Sequence, residues 1–234
     1  MFSLYTTPDW FHGFDIIFDT IGLLICLLIA GYSYKLFRRT KENRLGYFSL
    51  AFVLMSIGFL FKAATSAILY FSPVRDVAAT LLAPVAGQEL VFADLLYRGA
   101  FFVQMTATLG ALLLIFFISQ KARERLHKWH EVSQIALFVY LVLLISAVSN
   151  FQYFVFYLTS SVLLGLITLN YYKNYLNTQN KNAMQVMIGF IFLLLGNLLF
   201  IFVFVNGDSY VAGEVLQLLG FLILLMTYRR ITKK

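Results

Sequence analysis

The chain has 234 residues, 61% of them hydrophobic and only 12% charged, with a mean hydropathy of +0.81. A soluble domain is about half apolar and about a quarter charged, so this composition excludes a water-soluble fold and places the chain in lipid. The net charge of +7 lies mostly on short loops beside apolar runs and marks orientation, not a nucleic-acid footprint; the single cysteine, Cys26, excludes an intrachain disulfide or a cysteine-built metal site.

Seven apolar stretches have the roughly 17–25 residues that cross a hydrocarbon core of about 30 Å. The first, 14–37, carries Asp15 and Asp19 at i,i+4 on one helix face. Acids precede it and a basic flank follows, which is the wrong arrangement for a cleavable signal. The loop 35–44 (KLFRRTKENR) is strongly basic, and the second stretch, 45–70, contains Lys62, the only lysine inside any span. The connection 71–94 is the one long loop; its semi-apolar run VRDVAATLLAPV suits a lid or an interfacial helix. The third stretch, 94–118, opens with Asp94 and Arg98 and continues with Gln104, Thr106 and Thr108. A second basic loop, 121–131 (KARERLHKWHE), contains His127 and His130, a pair better read as a solvated loop than as a metal site. The fourth stretch, 131–148, is the shortest. The fifth, 151–172, begins in the aromatic run YFVFY; the sixth, 183–205, contains Asn197; the seventh, 209–227, contains Glu214 and Gln217. The expected fold is therefore an all-α seven-helix membrane bundle, a single domain with no appended soluble part.

Fifteen of the 18 Lys and Arg fall on the loops that share one side with the carboxyl end. Short basic loops stay cytoplasmic, so the amino terminus is expected outside and the carboxyl terminus inside. Shifting the chain by 138 residues lays Leu28, Ile29, Tyr34, Lys35, Thr40, Phe52, Gly58 and Leu60 on Leu166, Ile167, Tyr172, Lys173, Thr178, Phe190, Gly196 and Leu198. Leu109-Gly110 separately matches Leu219-Gly220. The pattern is a 3+1+3 parallel repeat, with units at about 14–118 and 151–228 and a linker helix at about 131–148. Pro8, Pro73 and Pro84 all lie outside the spans, so the helices should be unbroken, which argues against a rocking carrier.

The segment YSYKLFRRTKENRLGYFSLAFVLMSIGFLFK (32–62) and the terminal span ending GEVLQLLGFLILLMTYRRI resemble small archaeal-type seven-helix membrane proteins. They are also similar in layout to the seven-helix sensory modules that precede histidine kinases. The resemblance implies a sensory role and transfers no site residue. This chain departs from the kinase-linked form in having only a short basic tail after its last span.

Charged groups in lipid must face inward and pair, because an isolated one costs about 2.5–3.5 kcal/mol or more. Asp15, Asp19, Lys62, Asp94, Arg98 and Glu214 belong to the outer third of spans 1, 2, 3 and 7, which adjoin in a ring; Asp15, Asp19, Lys62, Arg98 and Glu214, with Gln217, form the candidate polar cluster. It reads either as a ligand pocket open to the outside or as a structural ion-pair network. The deeper Gln104, Asn197, Gln217, Ser56, Thr106 and Thr108 suit interhelical hydrogen bonds, and Gly22, Gly58, Gly110, Gly196 and Gly220 suit close helix packing. Span 7 lacks the lysine that retinal needs, no histidine projects into the bundle for haem or zinc, and no phosphate loop or hydrolase triad is present. No cofactor, no metal and no enzyme activity are therefore expected. Three roles fit: a receptor-like sensor signalling through helix shifts to its cytoplasmic loops or a partner, a small-solute or ion transporter, and a structural membrane-complex subunit. The sensor is favoured. Expected partners are the lipid bilayer, a small ligand from outside and a membrane or cytoplasmic protein, with no nucleic acid.

Overall fold

The computed structural model describes residues 8–74, 76–77, 89–120, 153–204 and 206–233. Among these, six long helices dominate: α1 (Phe14–Thr40), α2 (Asn43–Tyr70), α3 (Glu89–Ser119), α4 (Tyr153–Thr178), α5 (Lys181–Ile201) and α6 (Asp208–Lys233). All six are long and apolar enough to cross a bilayer. The chain is a multi-pass membrane protein. The expected fourth span, the 121–131 loop with both of its histidines, and most of the 71–94 connection lie outside the described residues.

Each helix packs on the next, and α6 packs back on α1, so the six form a closed ring. Large apolar side chains on the outer surface, such as Leu24, Leu28, Val162 and Leu169, are about half exposed and suit contact with lipid. Inside, one apolar cluster centres on Ile29, Phe52, Ile115, Ile167, Phe190 and Leu224, and a second on Phe101, Met105, Leu109, Phe156 and Phe200.

Helix directions follow from which ends meet. Lys62, near the end of α2, touches Asp19 and Glu214, both near the starts of α1 and α6, so α1 and α6 run parallel. Asn170 on α4 donates to the hydroxyl of Ser119, the last residue of α3, at 3.0 Å. The early residues of the same two helices, Phe101 and Phe156, share the second cluster. Helices α3 and α4, successive among the described residues, therefore also run parallel.

The α1–α2 and α4–α5 turns have the same construction 138 residues apart. The helices end at Thr40 and Thr178, and the next residues, Lys41 and Gln179, adopt left-handed φ of 58° and 49°. The N–H of Lys41 donates to the Phe37 carbonyl at 2.8 Å, and that of Gln179 to the Tyr175 carbonyl at 2.7 Å. The Thr40 and Thr178 hydroxyls each donate to the carbonyl four residues back. New helices then start at Asn43 and Lys181. A left-handed residue after a helix lets its N–H close on an orphan carbonyl, a place where glycine is usual. Here lysine and glutamine accept the strain at both turns.

Four glycines allow α5 and α6 to approach closely. A Cβ on Gly196 would lie 2.8 Å from the Gly213 carbonyl, and one on Gly213 would lie 3.0 Å from the Gly196 carbonyl. Gly189 and Gly220 face each other in the same way, at 3.3 and 2.9 Å. Small residues at a membrane helix seam let backbones touch where apolar side chains would gain nothing over lipid. Gly58 likewise presses on Thr108 and Gly22 on the Phe59 ring. Gly110 does not fit the expectation: a Cβ there would meet only Leu54 at an ordinary 4.0 Å.

Candidate functional site

The ring places three ionisable side chains in contact. Lys62 Nζ lies 2.8 Å from Asp19 Oδ1 and 2.5 Å from Glu214 Oε1. All three are buried, with relative exposures of 6% for Lys62, 0% for Asp19 and 3% for Glu214. One ammonium thus ties α1, α2 and α6 together. It also lies 6.0 Å from the Phe200 ring centroid and 5.6 Å from that of Tyr210. Ring faces attract a cation, so the aromatic pair adds to the support that the carboxylates give the ammonium. Asp19 Oδ2 is buried and has no hydrogen-bond partner among the described residues.

The other members of the expected polar cluster are placed differently. Asp15 is buried one turn before Asp19, but its Oδ1 accepts from the backbone N–H groups of Gly13 and Ile16 at 3.0 and 2.9 Å. The first N–H groups of a helix have no intrahelical acceptor, and this carboxylate fills that need for α1. Arg98 lies on α3, and its side chain is outside the described residues, as is that of Asp94. Gln217 lies one turn after Glu214 and faces a cavity below Lys62.

That cavity has a volume of about 70 Å³ and is walled by five of the six helices. Among the described residues, Lys62 is the one charged side chain on its wall. Gln104 and Thr108 from α3, Ser160 from α4, Asn197 from α5 and Gln217 from α6 give it a polar lining between Phe59, Phe156, Phe200 and Phe221. Asn197 joins helices, as expected: its Nδ2 lies 2.8 Å from the Tyr157 carbonyl and from the Ser160 and Ser161 hydroxyls, pinning α5 to α4. Ser49 does the same between α2 and α1 by donating to the Ala30 carbonyl at 2.9 Å. Gln104 and Gln217 do not act as expected. Among the described residues their amides make no hydrogen bond across a helix seam, because both open into the cavity. The Ser56 hydroxyl returns to its own helix at Val53, and the buried Thr106 hydroxyl has no partner among the described residues.

The aromatic run at the start of α4 contributes to the same space through Phe156 and Tyr157, the latter stacked on Phe200 with ring centroids 4.8 Å apart. Among the described residues, no group of three His, Cys, Asp or Glu is placed to hold a metal ion. Comparison of the chain with protein-family models, with curated proteins and with solved structures gives no match.

Proposed function

We propose that this chain is a receptor-like, non-enzymatic sensor of seven spans, with its amino terminus outside and its carboxyl terminus inside. In this mechanism, the state of the polar chamber governs how Lys62 holds α1, α2 and α6. The observation that carries the proposal is the three-helix clasp: an ion-paired ammonium at the wall of a half-open, largely apolar cavity that carries several polar side chains. A change in the cavity acts directly on Lys62, and a change in Lys62 acts on three helices at once. The basic ends of those helices, at Lys35–Arg44 and Tyr228–Lys233, would present the result to the cytoplasm.

The parallel run of α3 and α4 supports the seventh span. Two consecutive spans of one direction need a return crossing between them. The shared construction of the α1–α2 and α4–α5 turns supports a duplicated three-helix unit, with the return crossing as the linker of a 3+1+3 plan. That plan also favours one rival, a small-solute carrier, because the chamber lies between the two units as substrate sites do in repeat-built transporters. The buried clasp and the unbroken spans favour the sensor.

Hydrogen–deuterium exchange of the reconstituted chain tests the coupling. Glu214 and the basic end of α6 are separated by about 24 Å at ~1.5 Å per residue. Glu214→Gln should speed exchange at the α1–α2 turn and at the end of α6, as well as around the substitution. Exchange altered only near Glu214 would remove the basis for signalling, and saturable solute uptake in proteoliposomes would replace the sensor with the carrier.

A further inference from the structure

The chamber below Lys62 offers hydrogen-bonding groups that the protein itself does not use. Gln104 is only 6% exposed, yet its amide is unpaired among the described residues and opens into the cavity. Gln217 presents a second such amide from the neighbouring wall, and Thr108 a hydroxyl. Lys62 has three N–H donors and gives two to carboxylates, leaving the third without a carboxylate. Natural interiors leave few buried polar groups unpaired, so a cluster of them around a half-open cavity marks a space that is filled by something polar.

We propose that the chamber is a binding site for one compact, uncharged solute carrying both hydrogen-bond donors and acceptors, of the size and chemistry of a primary amide or urea. Size sets one limit. A cavity of about 70 Å³ is half the roughly 150 Å³ that holds a benzene ring, so the occupant has only a few non-hydrogen atoms. Charge sets the second. A cation would face the Lys62 ammonium, the one charged group on the cavity wall among the described residues, and an anion would meet an ammonium whose charge is already taken up by Asp19 and Glu214 behind it. Chemistry sets the third. Two carboxamides offer donors and acceptors in equal measure, which matches a ligand of the same kind, while the flanking rings of Phe59 and Phe221 suit its flat faces.

The ligand class deepens the sensory reading, on which it rests for its consequence but not for binding itself. The test is ligand-detected saturation-transfer NMR on the full chain in nanodiscs with three isosteric probes: acetamide, acetate and acetamidinium. Acetamide should give a saturable signal in the millimolar range, and the two charged isosteres should bind at least about tenfold more weakly. Gln104→Leu and Gln217→Leu should each reduce the acetamide signal at least about fivefold. Thr108→Val, which preserves shape while removing one hydroxyl, should cause a smaller loss in protein that remains folded. No saturable acetamide binding, equal binding of either ion, or an undiminished signal in both leucine variants would overturn the proposal. Radical labelling of chamber residues without acetamide binding would do the same, by showing that water alone fills the space. Acetamide binding that leaves the exchange pattern of the basic ends unchanged would retain the site and discard the signalling role.

Discussion

Replacing Lys62 by methionine should harm this bundle more than any other single substitution at the clasp. Methionine fits the stem of the lysine but leaves Asp19 and Glu214 facing each other at 0% and 3% exposure with no cation between them. Removing one partner of a buried ion pair costs about 3–5 kcal/mol. Two acids lose their partner here, and Asp19 Oδ2 already lacks one, so the expected loss is at the top of that range, about 5 kcal/mol. Glu214→Gln should cost less, about 1–2 kcal/mol, since Lys62 keeps Asp19 and the glutamine oxygen can still accept a hydrogen bond. The double variant retains a single buried acid, so its loss should fall short of the sum by about 1–3 kcal/mol. Reversible unfolding in mixed micelles, followed by near-UV circular dichroism, measures all four corners of this cycle. Losses that add to within about 0.5 kcal/mol would mean that the charges do not act on one another.

Other expectations follow from the seams and turns. Gly196→Ala and Gly213→Ala should each cost about 1–3 kcal/mol, because the new methyl meets a backbone carbonyl that cannot move alone, while Gly110→Ala should be close to neutral in the same unfolding assay. Asn197→Leu should cost about 1–2 kcal/mol, by stranding the Ser161 hydroxyl and untying α5 from α4. Lys41→Gly and Gln179→Gly should each stabilise by a similar amount, about 0.5–1 kcal/mol, by relieving left-handed strain at equivalent positions. Cysteines at Trp10 and Gln179 should react with a membrane-impermeant maleimide from opposite sides; labelling from one side would contradict the proposed orientation.

Six of the expected spans were legible because their apolar runs are long, and the helices begin and end within about six residues of those runs; the fourth lies outside the described residues. The meeting of Asp19, Lys62 and Glu214 was legible for a related reason: charges at similar depth in adjoining spans have nowhere else to pair. Asp15 shows where such reasoning stops. Its spacing from Asp19 puts both acids on one face, but an acid in the first turn of a helix has a nearer use in the orphan N–H groups. Gln104 and Gln217 looked like interhelical glue because a sequence does not reveal that two walls stand apart. That gap depends on the bulk of Phe59, Phe156, Phe200 and Phe221 around it. Gly196 and Gly220 were expected at close seams, but only the antiparallel register of α5 and α6 pairs them with Gly213 and Gly189.

The most direct test of the clasp as a coupling device is a distance between the basic ends of α1 and α6. Nitroxides at Arg38→Cys and Arg230→Cys, both exposed, can be placed in a Cys26→Ala background and read by pulsed electron paramagnetic resonance. If Lys62 sets the relation of these helices, Glu214→Gln at their opposite ends should move or broaden the distance distribution by about 2 Å or more. Superimposable distributions with and without Glu214 would show that the triad holds the helices together without transmitting anything along them.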